Sequence, residues 1–375
     1  MSIYSAFFQH VLSRLDAEDV HHWTVRALSA AHRLPLGPLV IRRLFNNGPA
    51  EQPVQVAGLR FPGVFGLAGG FDKNAQVPLA LLDMGFTHVE IGTVTPRPQP
   101  GNERPRAFRL LADGALINRM GFNNDGAAAV AVRLQKIRAG RAGKDAVIGV
   151  NIGKNKNTSL EQAAADYALS AQLLSPYASY LTINVSSPNT PNLRALQAVQ
   201  ELRPILEAVR EHTQNTAVNG RRVPLFVKIA PDLHDDDVRQ VAELALELGL
   251  DGLIAVNTTI VRPDELLTDR SRLEQIGPGG LSGPILADRA LQVLDILDAH
   301  RHGTGPDGQQ HRLALISAGG VRTSADVRTR LEHGADLVQG FTSLVYEGPS
   351  WPGRISRELA QDPAGCSGAS GVRRE

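Results

Sequence analysis

Eight short runs of apolar, largely β-branched residues recur along the chain. They are Val64–Ala68, His88–Gly92, Ala146–Asn151, Tyr180–Val185, Leu225–Ile229, Gly252–Val256, Leu313–Ser317 and Asp336–Gly340. Their apolar positions are consecutive rather than alternating, which predicts strands buried on both faces, as in a parallel sheet. Between them apolar residues return at three- and four-residue spacing, most clearly over Leu160–Leu174, Leu193–Val209 and Asp235–Leu248, and this predicts helices. Strands alternating with helices mean βαβ units. Eight strands in about 280 residues predict an α/β fold of the closed (β/α)8 TIM-barrel type; a doubly wound sheet is the alternative.

Two segments stand outside the alternation. Arg106–Leu111 and Ala115–Arg119 flank Asp113-Gly114, a hairpin signal, so a β-hairpin is expected to be inserted over the barrel top. In the first 50 residues Ile3, Phe7, Val11, Leu12 and Leu15 form one apolar stripe. Val20, Trp23, Ala27, Ala31 and Leu34 form a second, continued by Leu39, Val40, Leu44 and Phe45 after Pro38. With five arginines against three acids, this segment reads either as a helical cap on the barrel or as an amphipathic membrane-surface element. The expected organisation is a helical segment over 1–50, a barrel over 51–360 and a disordered tail over 361–375. Gly303–Gln310 reads as a polar loop without evident chemistry.

Composition narrows the chemistry. The formal net charge of +1 gives no pull toward nucleic acid. The single cysteine, Cys366, lies in the tail, which excludes an internal disulfide framework, a multi-cysteine metal site and a cysteine catalyst in the core. No stretch has the roughly 18 apolar residues of a spanning helix, and the N-terminus lacks the pattern of a signal peptide. Of 39 basic residues only Lys73, Lys136, Lys144, Lys154, Lys156 and Lys228 are lysine, and three of these, Lys73, Lys154 and Lys228, fall in the motifs below.

In such a barrel the active site lies at the strand ends. These ends carry Gly69-Gly70-Phe71-Asp72-Lys73, Thr93, Asn151 to Asn155, Asn184 to Thr190, Lys228, Asn257-Thr258-Thr259, Gly319-Gly320 and Gly340 to Ser343. They hold no histidine, few acids and no cysteine, which argues against a metal site and against a Ser-His-Asp hydrolase. An asparagine amide offers both donor and acceptor. Asn118, Asn184, Asn189 and Asn257 together could match the alternating C=O and N–H edge of a cyclic imide or ureide, and a lysine would suit a carboxylate. Each asparagine taken singly reads as a turn or cap; the four together do not. Gly319-Gly320 and the Gly340–Thr342 turn follow strands seven and eight, where barrels often hold a phosphate. Gly279–Gly283 is a second glycine-rich loop with a similar reading.

These residues closely resemble the class 2, quinone-dependent dihydroorotate dehydrogenases, from about Asp16 to Pro349. The most specific stretches are Ile91–Asn102, Asn118–Asn124, Asn151–Asn155 and Asn184–Thr190. The resemblance implies an FMN enzyme of pyrimidine biosynthesis that oxidises dihydroorotate to orotate and passes electrons to a membrane quinone. FMN would contact Gly69, Gly70, Lys73, Thr93, Asn151, Asn184, Lys228, Val256, Gly283, Gly320, Phe341 and Thr342. Dihydroorotate would contact Lys73, Asn118, Arg119, Met120, Gly121, Phe122, Asn184, Asn189, Asn257 and Thr258, with Ser187 as the base. The N-terminal helices would form the quinone entrance and a peripheral contact with the cytoplasmic face of the cell membrane; neither nucleic acid nor metal is implied, and a monomer suffices. Phe341 and Val256 depart from the family pattern, which commonly has tyrosine and threonine there, so a hydroxyl contact at Phe341 is lost. Two other readings are weighed: another FMN barrel oxidoreductase, such as a 2-hydroxy-acid oxidase, which would want a histidine base, or an inosinate-dehydrogenase-like enzyme, which would want a loop cysteine; and a non-catalytic phosphate-ligand binder, which would leave Ser187 without a role.

Overall fold

The computed structural model describes residues 3–46, 48, 51–215 and 222–361. Eight parallel strands close a barrel: β1 (Phe65–Leu67), β2 (Val89–Val94), β3 (Ile148–Ile152), β4 (Tyr180–Asn184), β5 (Leu225–Ile229), β6 (Gly252–Ala255), β7 (Ala314–Ala318) and β8 (Leu337–Gly340). Every residue of these strands is buried, as expected for strands wrapped inside by their own side chains and outside by helices. Pairing runs in sequence order and closes through β8 and β1, with Gly340 opposite Leu67. The β2–β3 register shifts between Ile91 and Val94, re-aiming the chain at Thr93.

The barrel interior is filled by rings. Phe61 meets His88 edge-on at 5.2 Å and Tyr180 meets Phe226 at 5.3 Å. Space for them comes from glycine: a Cβ on Gly66 or Gly149 would stand 2.2 Å from the His88 ring or 2.1 Å from the Tyr180 ring. Phe61 belongs to a hairpin, Val54–Val56 with Leu59–Phe61, that precedes β1.

Several segments differ from the sequence reading. The inserted hairpin, Ala107–Leu110 with Ala115–Asn118, is present but gains a third strand, Gly280–Ser282, from the glycine-rich loop. Three residues are too few to show periodicity, and this strand is held by pairing with Leu116–Asn118 on one side and with Thr259 on the other. Gly303–Gln310 is not a plain loop: His302–Thr304 pairs with Gln310–Arg312. Leu193–Val209 divides into a 3-10 turn, Leu193–Gln197, and a helix from Val199 to Asn215. The last helix, Trp351–Gln361, reaches the first residue of the expected tail; residues 362–375, Cys366 included, lie outside the described residues.

Before the barrel come α1 (Ile3–His10), α2 (Ala17–Arg33) and α3 (Gly37–Phe45). Asp16 caps α2 by accepting from the Glu18 and Asp19 amides, both at 3.0 Å. Val25 and Ile41 turn into the core, while Phe7, Val11, Leu15, Trp23, Leu34, Leu36, Leu39, Val40 and Leu44 face outward. The apolar stripes therefore lie largely on the free surface of this segment. Among the described residues no helix is long and apolar enough to cross a membrane.

Candidate active site

A cavity of about 240 Å³ opens at the carboxyl ends of the strands, under the inserted sheet. Its wall takes residues from nearly every strand end: Gly69, Gly70 and Lys73 after β1, Thr93 on β2, Asn184, Ser187 and Asn189 at and after β4, Lys228 on β5, Val256, Asn257 and Thr258 after β6, Gly319 and Gly320 after β7, and Phe341 and Thr342 after β8. The inserted sheet and its flanks add Asn118, Met120, Gly121, Phe122 and Gly283.

The asparagines occupy this cavity as two pairs. Asn257 donates to Asn184 Oδ1 at 3.4 Å and to Ser186 Oγ at 2.8 Å. Asn189 donates to Asn118 Oδ1 at 3.2 Å, and Asn118 in turn reaches the Gly280 carbonyl at 3.5 Å. Asn184 also donates to Thr93 Oγ1 at 2.9 Å. Ser187 is buried beside them, its Oγ accepting the Asn189 amide at 3.3 Å. Among the described residues no histidine or carboxylate hydrogen-bonds this hydroxyl, so it is not part of a hydrolase-type dyad.

Lys73 and Lys228 stand at the strand ends, and Arg109 of the inserted hairpin is a third cation in the wall. Burial pushes the Lys73 ammonium down to about 8, against the pull of the Glu18 and Asp72 carboxylates. Its loop is locked by Asp72, whose carboxylate accepts from the amides of Asn74 at 3.2 Å, Gln76 at 2.9 Å and Val77 at 2.8 Å. Lys228 lies 3.8 Å from Glu90 Oε1.

The glycine positions suit a ligand that approaches backbone. At Gly320 (φ 77°) a Cβ would stand 2.7 Å from the Ala287 backbone, and at Gly283 (φ 126°) it would stand 2.8 Å from Ala115. Packing on the far side therefore requires glycine at both positions, and both line the cavity with main chain alone. Gln339 also lines the cavity, and its Oε1 is buried with no partner. Thr342 Oγ1 and Ser282 Oγ, 2.8 Å apart, add hydroxyls beside the Gly320 turn. This donor set fits a flat, phosphate-bearing ligand. Phe341 brings a ring instead of a hydroxyl, edge-on to Phe71 at 6.2 Å, and Val256 is an apolar wall.

Two residues expected at the site do not line the cavity. Arg119 spends its guanidinium on the Ile276 and Pro278 carbonyls, at 2.5 and 2.9 Å, and lies over the Phe108 ring. It holds the inserted sheet in place. Asn151 stands one shell behind, accepting from Thr93 Oγ1 at 2.6 Å and donating to Glu90 at 2.8 Å.

Three residues were missed by the sequence reading. Glu90 is fully buried at the centre of this network; its signal was a charge within an otherwise apolar strand. Glu18 and His21 reach the cavity wall from α2, so the site contains a histidine although no strand end carries one. His21 meets Phe71 edge-on at 4.8 Å, and burial, with Lys73 and His22 nearby, holds its imidazole well below the usual range. Glu18 forms a buried pair with Arg106 at 2.7 Å and ties α2 to the inserted hairpin. No feature of the first 50 residues distinguished these two side chains from surface charges.

Comparison with known proteins agrees with this geometry. The family model described as dihydroorotate dehydrogenase matches residues 52–362. A curated relative from Kocuria rhizophila, named dihydroorotate dehydrogenase (quinone), is 53% identical over 369 residues, covering 96% of this chain and 98% of that protein. One of the same name from a Nocardioides species is 54% identical over 366 residues, with coverage of 96% and 98%. Among solved structures, DHODH from Eimeria tenella in complex with ferulenol superposes with a TM-score of 0.84 at 36% identity, covering 98% of this chain and 97% of that one. The ligand-free form from the same organism gives 0.81 at 38%, with coverage of 94% and 96%. A barrel whose strand ends bring these asparagines and lysines together, matched over nearly its whole length, belongs to the dihydroorotate dehydrogenase family.

Proposed function

We propose that this chain oxidises dihydroorotate to orotate, with FMN as its bound cofactor and a membrane quinone as the final acceptor, in pyrimidine biosynthesis. The observation that carries this reading is the convergence in one cavity of two asparagine pairs, Lys73, Ser187 and Lys228 beside bare glycine backbone. The paired amides offer donors and acceptors to the ring edge, and Lys73 offers its charge to the carboxylate. FMN, when bound, supplies the hydride acceptor. Gly320, Thr342 and Ser282 would hold its phosphate, while Thr93, Asn184 and Lys228 would hold its ring.

The oxidation removes a proton from C5 and a hydride from C6 of the substrate. Ser187 takes the proton. A hydroxyl is a weak base at neutral pH, so the proton must move on. Thr190 lies three residues along the same loop with its Oγ1 buried and free of a protein partner, which suits it to relay that proton, accepting it from Ser187 while releasing its own to water. Lys228 would supply positive charge beside the bound cofactor.

The N-terminal segment fits a quinone entrance. Ala17, Glu18 and His21 of α2 line one side of the cavity, and the outward leucines of α3 suit an apolar surface. A monomer lying peripherally on the cytoplasmic face of the membrane would take quinone from the bilayer without exposing it to water. An anaerobic titration with dihydroorotate tests the reading: purified protein should be yellow and should bleach stoichiometrically. A folded preparation that takes up no FMN, or whose flavin dihydroorotate leaves oxidised, refutes it.

A further inference from the structure

Glu90 is wholly enclosed inside the barrel, and donors from four other strands converge on it. Its Oε1 accepts from Asn151 of β3 at 2.8 Å and stands 3.8 Å from the Lys228 ammonium of β5. Its Oε2 accepts from Thr182 of β4 at 3.0 Å and from Gln339 of β8 at 3.5 Å. A Cβ on Gly69 would come within 2.7 Å of Oε1, so this carboxylate lies directly behind main chain that forms the cavity wall. A buried carboxylate is costly unless such partners surround it, and an apolar residue would close a barrel as well.

We propose that Glu90 is a positioning residue that sets the electrostatic balance of the flavin site. It fixes Lys228 and Asn151, and it offsets the charge that Lys228 would otherwise present undiluted to the cofactor. The inference rests on the flavin reading of the cavity. A lone ammonium against the cavity would favour the anionic reduced flavin strongly and hold the electrons there. Paired with Glu90, the same ammonium presents mainly a dipole, whose field falls off faster with distance than that of a net charge. The oxidised flavin would then still be a ready hydride acceptor, and the reduced form would not be held so tightly that it could not pass its electrons on.

The experiment is the two-electron reduction potential of the bound flavin in wild-type protein, Glu90→Gln and Glu90→Asp, together with rebinding of oxidised FMN to each apoprotein. Glu90→Gln nearly preserves shape, and the Thr182 hydroxyl and the unpartnered Gln339 Oε1 can both accept from the new amide. The potential should rise by roughly 30 mV or more, a tenfold gain in preference for reduced over oxidised flavin. Glu90→Asp, its charge drawn back from Lys228, should move it in the same direction by less and weaken FMN rebinding. A flavin-loaded Glu90→Gln protein with the wild-type potential overturns the inference. Should that variant not fold, Glu90→Asp with unchanged potential and rebinding overturns it equally. Wild-type protein that binds no FMN would instead remove the function proposal itself.

Discussion

Lys73 gives the sharpest quantitative expectation. The lysine faces the cavity from the loop after β1, and burial brings its ammonium down to about 8. If it is the counter-charge of the substrate carboxylate, only the protonated form binds well. Binding must then be fully present below pH 8 and fade above it. For a pKa of about 8, orotate affinity should fall about tenfold between pH 7 and pH 9 and about tenfold more by pH 10, ~1.4 kcal/mol per unit. Lys73→Met should bind orotate more weakly at pH 7 by ~1.5–3 kcal/mol, the worth of a charge-assisted hydrogen bond, and should lack the wild-type slope. The assay is titration with orotate, followed by the perturbation of the flavin spectrum, from pH 6.5 to 10. Ionisation of orotate itself is common to both proteins, so the difference between the two slopes isolates the lysine. Parallel slopes would refute the assignment, whatever the absolute affinities.

Ser187→Ala should still bind orotate but reduce its flavin about 10²- to 10⁴-fold more slowly in stopped-flow, and unchanged reduction would remove Ser187 as the base. Asn257→Ala should cost roughly 1–3 kcal/mol of substrate affinity by leaving a polar group of the bound ring unpaired, and an effect on Tm alone would make it structural. Leu36→Asp with Leu39→Asp, both about two-thirds exposed at 66% and 62%, should leave dihydroorotate-driven bleaching intact and weaken vesicle binding more than tenfold, since a buried leucine is worth roughly 1.5–3 kcal/mol. Full vesicle binding by the double variant would exclude α3 as the contact. Glu51 sits buried against Ser356 and the Val64 amide, and burial raises its carboxyl to about 7. A carboxyl raised on folding binds more protons in the native state, so its contribution falls as pH climbs from about 4.5 to 7, by up to roughly 3 kcal/mol. Denaturant midpoints of Glu51→Gln across that range should lose this slope, and an identical slope would refute it.

What could be read in the chain follows from the range over which each signal acts. The barrel strands were legible because burial on both faces leaves an unbroken apolar run, and Leu225–Ile229 has the same bounds in both readings. The strand-end residues were legible because chemistry at such ends sits in short contiguous motifs, as in Asn184 to Thr190. The Gly280–Ser282 strand was not, because its causes are pairings with segments away from it in the chain, the hairpin strand Leu116–Asn118 and Thr259. Glu90 was visible as an anomaly, but its meaning depends on donors from four other strands, none of them its neighbour in sequence.

The N-terminal segment shows the same limit from the other side. Its stripes announced amphipathic helices, and nothing in them showed that the same helices also build the cavity wall. The structure argues against testing the membrane contact by deleting them. Glu18 neutralises Arg106, which also donates to the Pro100 and Asn102 carbonyls at 2.7 and 2.6 Å, and His21 packs on Phe71 of the cavity wall. Removing α2 would strand a buried guanidinium beside Lys73 and open the cavity, losses that mimic a catalytic defect without touching the quinone path. Attachment and site assembly are therefore carried by different faces of the same helices. Only changes confined to the outward leucines separate them.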